Sequence, residues 1–255
     1  MNQHDYHHYT QSLLAKATAN PEALGLVALG SMAGQSHLPD EWSDHDFFLI
    51  VPSGRQEAYR QNLDWLPTPE DLLWSFRETE HGLKALYRSG HVVEFAVFDH
   101  AELSLARVND FLVLLDRGGV AEGLAATQVL ERHYRPDDYY IGMLFSHLLI
   151  GYARCRRGEL LSGGIFIRHY ALDDLLYLVH RHMTPLNPDL PDTLDPLRRV
   201  EQAYPPIAAQ LVPALDQPPM QVARDLLAIF EAHFADRLAA FPHEAVAVVK
   251  QTLNT

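Results

Sequence analysis

The sequence predicts an α+β protein, a mixed sheet with flanking helices followed by an all-α helical bundle. Up to about residue 100, short β-rich runs alternate with helical ones, and from Ala101 onward helix-formers dominate with few β-branched alternations. At 255 residues and 47% hydrophobic content, the chain can bury a substantial core in one large domain or two ordinary ones. We place the division at residues 1–105 and 106–255, a soft boundary because no flexible linker marks it.

The elements follow from the order of apolar runs and breakers. Tyr9 to Ala19 reads as a helix that Asn20-Pro21 ends, and Leu24 to Leu29 as an apolar strand that stops at Gly30. The next strand, Asp46 to Val51 (DFFLIV), is closed by the turn signal Pro52-Ser53-Gly54. Arg55 to Trp65 is expected to be helical. LLWSFRET, GLKALYRS and HVVEFAVF then read as three strands, the last two joined by Ser89-Gly90 as a hairpin. Helices are expected near 101–116, 120–131, 137–157, 162–183, 193–213 and 219–239, broken by Arg135-Pro136, Gly163-Gly164 and the proline-rich 185–196 stretch. Asp137 and Asp138 stand where an N-cap supports the third of these.

Composition excludes several classes. The single cysteine, Cys155, permits neither an internal disulfide nor a four-cysteine zinc site, so a cytoplasmic protein is the simple expectation. The N-terminus lacks a signal-peptide pattern and no apolar stretch is long enough to span a bilayer, which argues against membrane insertion. A formal charge of -13, from 33 acidic against 20 basic side chains, repels a phosphate backbone and argues against nucleic acid as a partner. It tilts the expectation weakly toward a cationic small substrate. The 15 histidines suggest zinc, but His4, His7 and His8 lack a cysteine partner, and His180 and His182 stand on different helix faces.

The informative stretch is LGLVALGSMAGQSHLPDEWSDHDFFLIV, residues 24–51. A strand ends in Gly30-Ser31, and a second strand opens with Asp44-x-Asp46. Glycine at the turn lets the backbone approach a phosphate, and the serine hydroxyl and following amides can donate to its oxygens. Side chains alternate along a strand, so Asp44 and Asp46 share a face while His45 points away. Two adjacent carboxylates repel, and a hard cation with a preference for oxygen resolves that conflict, as magnesium does with one or two carboxylates plus substrate phosphates.

This pattern resembles the signature of the DNA polymerase β-type nucleotidyltransferase superfamily, a Gly-Ser followed after a short spacer by Asp-x-Asp. Twelve residues separate Ser31 from Asp44. The resemblance implies a polymerase β-like N-terminal fold and a third carboxylate on a later, adjacent strand. Glu94 in HVVEFAVFD matches that position, with a cross-strand ion pair to Lys84 or Arg88 as the alternative use of its charge. It further implies that magnesium, or manganese in its place, is held by Asp44, Asp46 and Glu94 as two ions, and that Ser31 holds the terminal phosphates of a nucleoside triphosphate, expected to be ATP. A hydroxyl of a small-molecule acceptor then attacks the α-phosphate and pyrophosphate leaves. Glu94 is expected to act as metal ligand, general base or both.

A nucleotidyltransferase domain followed by helices resembles in layout the enzymes that adenylylate aminoglycosides or lincosamides. The motif similarity covers residues 24–98, and Met32-Ala33-Gly34 stand where several small members carry an arginine. Arg55 or an arginine of the helical half is expected to supply that charge. Arg168 is the candidate for the phosphates, and Glu159, Asp173 or Asp174 for a cationic acceptor, each weighed against a solvated helix face. The competing expectations are a protein-modifying or partner-binding role of the toxin–antitoxin type, and a catalytically idle nucleotide-binding protein.

Overall fold

The computed structural model describes residues 3–35, 38–106, 108, 110–125, 135–188, 190–192 and 195–255. The chain divides into two compact units, Met1–Leu130 and Glu131–Thr255.

The first unit is built on a six-stranded sheet. Its strands are β1 (Gly25–Leu29), β2 (His45–Ile50), β3 (Leu72–Arg77), β4 (Gly82–Tyr87), β5 (Val92–Phe98) and β6 (Phe111–Asp116), in the order β3-β4-β5-β2-β1-β6. Only β2 and β5 run parallel, with His45 opposite Val93 and Asp46 opposite Glu94; the other neighbours are antiparallel. Period-two alternation divides the side chains between the faces. On one face Leu26, Ala28, Phe47, Leu49, Val93 and Phe95 pack with Tyr6, Tyr9 and Leu13 of α1 (Gln3–Ala19). Phe47 and Phe95 stack there at 5.4 Å, a pairing that adds about 0.5–1.5 kcal/mol to their burial.

On the opposite face Val27, Ile50, Ala96 and Phe98 pack with Leu103, Val120 and Leu124, the last two from α4 (Val120–Ala125). Gly25 allows that approach, because a Cβ there would lie 2.6 Å from Val120 Cγ2. A four-residue helical turn, α2 (Gly30–Ala33), follows β1, and α3 (Gln56–Gln61) occupies only the first part of the helix expected over 55–65.

One expected helix is replaced. The stretch 101–116 holds a short 3-10 turn, Glu102–Leu105, and then strand β6. FLVLLD is an apolar run without alternation, which suits either element, and pairing with β1 from Gly25↔Asp116 to Leu29↔Phe111 decides it. The sheet therefore extends past Ala101, where the texture of the sequence changes. Of the helix expected over 120–131, residues 126–131 lie outside the described part.

The second unit is all-α: α5 (Asp137–Arg156), α6 (Leu160–Ile165), a π-helical turn (Phe166–Ala171), α7 (Leu172–His182), α8 (Val200–Ala203), α9 (Pro205–Leu215), α10 (Pro219–Phe234) and α11 (His243–Leu253). Leu144, Leu148, Leu175, Val179, Leu226 and Phe230 lie at its centre. α5 and α6 meet at two glycines. A Cβ on Gly163 would stand 2.6 Å from the Gly151 carbonyl oxygen and 2.5 Å from Cys155 Sγ. The helix expected over 193–213 is shorter, starting with α8 and α9, while residues 193–194 lie outside the described part. α11 was not expected from the sequence. Ile165, expected on the apolar face with Leu172, Leu176 and Val179, is instead exposed.

Candidate functional site

The Gly-Ser turn and the Asp-x-Asp strand come together at one edge of the sheet core. Antiparallel pairing of β1 with β2 brings the end of β1 beside the start of β2, the last pair being Ala28↔Phe47. Gly30 has φ 50, a left-handed conformation that glycine adopts without the Cβ penalty. A Cβ placed on it would lie 3.8 Å from Asp46 Oδ2, so the turn passes close to that carboxylate. Ser31 is buried, Asp46 is half-buried and Asp44 is exposed.

Register carries the third carboxylate to the same place. Phe76, Lys84, Glu94 and Asp46 are successive register partners across β3, β4, β5 and β2, so their side chains share the face opposite α1. Down the strands this face is covered, but at this level it is open, with Glu94 and Phe76 both exposed. Glu94 is thus the neighbour of Asp46. Its carboxylate is held by Lys84, whose Nζ lies 3.1 Å from Glu94 Oε2 and 2.9 Å from Glu78 Oε1. Glu78 and Glu94 together keep the Lys84 ammonium above its ordinary range.

Among the described residues, no group of three or more His, Cys, Asp or Glu side chains is gathered as a metal cage. The donor chemistry of Asp44 and Asp46 fits a hard cation that takes one or two carboxylates and completes its shell with phosphate oxygens. Of the three expected carboxylates, Asp46 and Glu94 are register partners, Asp44 precedes the paired strand, and Glu94 is paired with Lys84.

Beneath the carboxylates lies a polar network that the sequence did not reveal. His45 is fully buried on the α1 face. Its Nδ1 lies 2.8 Å from His91 Nε2 and its Nε2 lies 2.9 Å from Thr10 Oγ1. The Thr10 hydroxyl donates to the Tyr6 carbonyl at 3.2 Å, so its oxygen accepts from His45 Nε2–H and His45 Nδ1 accepts from His91 Nε2–H. Neutral imidazoles satisfy this pattern of partners. Burial, with the His91 ring opposing charge beside it, lowers His45 to about 3, and burial lowers His91 to about 4.

The Tyr6 ring stacks on His45 at 3.8 Å, and its hydroxyl donates to the Asp44 carbonyl at 3.1 Å. Burial raises the Tyr6 phenol above its ordinary range, the nearby Asp46 and Asp44 charges add to that, and the Ser31 hydroxyl opposes it. The only local signal for this layer was the inward histidine of Asp44-His45-Asp46, a polar group that burial obliges to find partners. Those partners lie on α1 and at the start of β5.

Other expected site residues have partners of their own. Arg55 pairs with Glu22 at 3.0 Å. In the helical unit, Arg168 donates through Nε to the Leu215 carbonyl at 3.3 Å and through Nη2 to the Gln217 carbonyl at 2.5 Å. Glu159 is exposed and pairs with Arg157 at 2.8 Å. Asp174 is buried and 2.7 Å from His147 Nδ1, with burial raising its carboxyl to about 6, while Asp173 beside it is half-buried. Among the described residues no helix is long and apolar enough to cross a membrane.

No family model and no curated protein matches the chain. Among solved structures it is similar to an aminoglycoside 6-adenyltransferase from Bacillus subtilis, at 10% identity and a TM-score of 0.38, over 96% of each chain. It is also similar to a nucleotidyltransferase-like protein from Exiguobacterium sibiricum, at 13% identity and a TM-score of 0.29, over 97% of this chain and 88% of that one. A third is a STING-associated c-di-GMP synthase from Capnocytophaga granulosa, at 10% identity and a TM-score of 0.28, over 98% of this chain and 78% of that one.

Proposed function

We propose that this chain is a nucleotidyltransferase of the DNA polymerase β type, which transfers a nucleoside monophosphate, AMP from ATP, to a hydroxyl of a small-molecule acceptor and releases pyrophosphate. The observation that supports it best is register: Asp46 stands opposite Glu94 on a parallel neighbour, beside the Gly30 turn. In this reading the Gly30-Ser31 turn receives the phosphates, and Asp44 and Asp46 hold a divalent cation against them. Such a cation neutralises charge on the phosphate oxygens and orients them. Lys84 keeps a positive charge next to Glu94, and Glu94, once released from it, is the group placed to take the acceptor proton. The acceptor in this reading is cationic, of aminoglycoside- or lincosamide-like type, as the formal charge of -13 favours.

The test is a mass-spectrometric screen of the purified protein with magnesium and ATP, or each other nucleotide, against aminoglycosides, lincosamides and a cell extract. A small molecule heavier by one nucleoside monophosphate is the expected outcome. Asp46→Asn should abolish transfer and leave the melting temperature unchanged, and equal turnover by that variant sinks the assignment. A nucleotide-binding protein without transfer activity is the second reading, favoured by the Lys84–Glu94 pair. Nucleotide binding with no product on any acceptor supports it.

A further inference from the structure

We propose that Tyr6 is a positioning residue of this site, whose hydroxyl holds the backbone of Asp44 and so fixes the entry of the carboxylate strand beside the Gly30-Ser31 turn. The inference rests on the nucleotidyltransferase reading and extends it to α1, an element outside the motif.

Sheet pairing leaves a gap that this tyrosine fills. The β1–β2 ladder ends at Ala28↔Phe47, so the turn at Gly30-Ser31 and the strand entry at Asp44-His45 lie beyond its last pair. Gly30 N–H is directed the other way, to the Asp110 carbonyl at 3.0 Å. The Tyr6 hydroxyl holds the second of these segments, donating to the Asp44 carbonyl at 3.1 Å.

The ring has little freedom to leave. Tyr6 is 2% exposed and lies flat on His45, with 22° between the rings. His45 is in turn fixed at both nitrogens, by Thr10 and by His91. A fixed plate therefore carries the tyrosine, and the tyrosine carries the strand entry. The Asp44 backbone is held in place before any ligand arrives, which spares a metal–nucleoside triphosphate the cost of ordering it.

Tyr6→Phe removes the hydroxyl and keeps the stacked ring. Tyr87→Phe is its control, because the Tyr87 hydroxyl is also buried, pairing with Tyr9 Oη at 3.0 Å and donating to the Pro67 carbonyl at 2.8 Å, with no link to Asp44. The measurement is calorimetric binding of α,β-methylene-ATP with Mn2+ to the full chain, alongside urea midpoints. Tyr6→Phe should weaken binding about three- to tenfold, the weight of one hydrogen bond, whereas Tyr87→Phe should lower the urea midpoint as much and leave affinity unchanged. Wild-type affinity in Tyr6→Phe, or an equal loss in Tyr87→Phe, overturns the proposal and leaves the nucleotidyltransferase reading standing. Absence of binding by the wild type overturns both.

Discussion

One substitution, made at two positions of the same helical unit, should shift stability in opposite directions. Glycine inside a helix is worse than alanine by about 1 kcal/mol, so Gly→Ala is stabilising wherever the new methyl has room. Gly142 on α5 has room, since a Cβ there meets nothing within 4 Å. Gly163 on α6 has none. Its Cβ would stand 2.5 Å from Cys155 Sγ, 2.6 Å from the Gly151 carbonyl oxygen and 3.0 Å from Cys155 N. Two of these atoms are backbone, so relief requires α5 and α6 to move apart by about 1 Å toward ordinary contact distance.

Overpacking of this kind costs about 3 kcal/mol at the upper end of its range, and the propensity gain offsets about 1, leaving Gly163→Ala about 2 kcal/mol less stable. For a unit of this size that is a fall of about 6–10 °C in melting temperature, against a rise of about 3–5 °C for Gly142→Ala. The three tryptophans, Trp42, Trp65 and Trp74, all lie in the first unit. Helical circular dichroism in urea should therefore report the changes while tryptophan fluorescence follows the other unit. A Gly163→Ala protein as stable as the wild type, or more stable, refutes the close-crossing argument.

Two predictions concern the first unit. The Asp116 carboxylate accepts from the amides of Gly118, Gly119, Val120 and Ala121, which hold its pKa down at about 2 and cap α4. Asp116→Ala should cost about 1 kcal/mol near neutral pH. Because the folded pKa is depressed, that contribution is present above about pH 4 and disappears as pH falls toward 2, so a gap between the two proteins that persists in acid contradicts it. His91 has a folded pKa of about 4 against an ordinary 6.5. The unfolded chain takes up its proton first on acidification, so wild-type stability should fall below about pH 6.5 by up to about 1.4 kcal/mol per pH unit. His91→Asn, compared by urea midpoints read through tryptophan fluorescence, should show a shallower fall, and parallel profiles would count against a neutral buried imidazole.

Local signals made part of this structure readable from sequence. β1 and β2 stood out because each is an apolar run bounded by glycine or proline, and the Asp44-x-Asp46 pair was readable because alternation dictates which residues share a face. The β4–β5 hairpin followed from Ser89-Gly90, where Gly90 has φ 82. β6 was not readable, since FLVLLD suits helix or strand equally and its partner, β1, lies more than 80 residues earlier. The Lys84–Glu94 pair was foreseen as an alternative, being a matter of hairpin register. The Tyr6–His45–His91 layer was not, because its members come from α1, β2 and the start of β5, and each alone is an ordinary aromatic or histidine in an apolar context.

The inward histidine of that triplet also bears on how reliably the strand finds its place. Slipping β2 by one residue against β1 and β5 would turn Asp44 and Asp46 toward Tyr6 and Tyr9 and take Phe47 and Leu49 out of the core they share with α1. Two carboxylates would then be buried without partners, at several kcal/mol each. The alternate register is therefore excluded by its own chemistry, and the residues proposed to bind a ligand double as a check on folding fidelity.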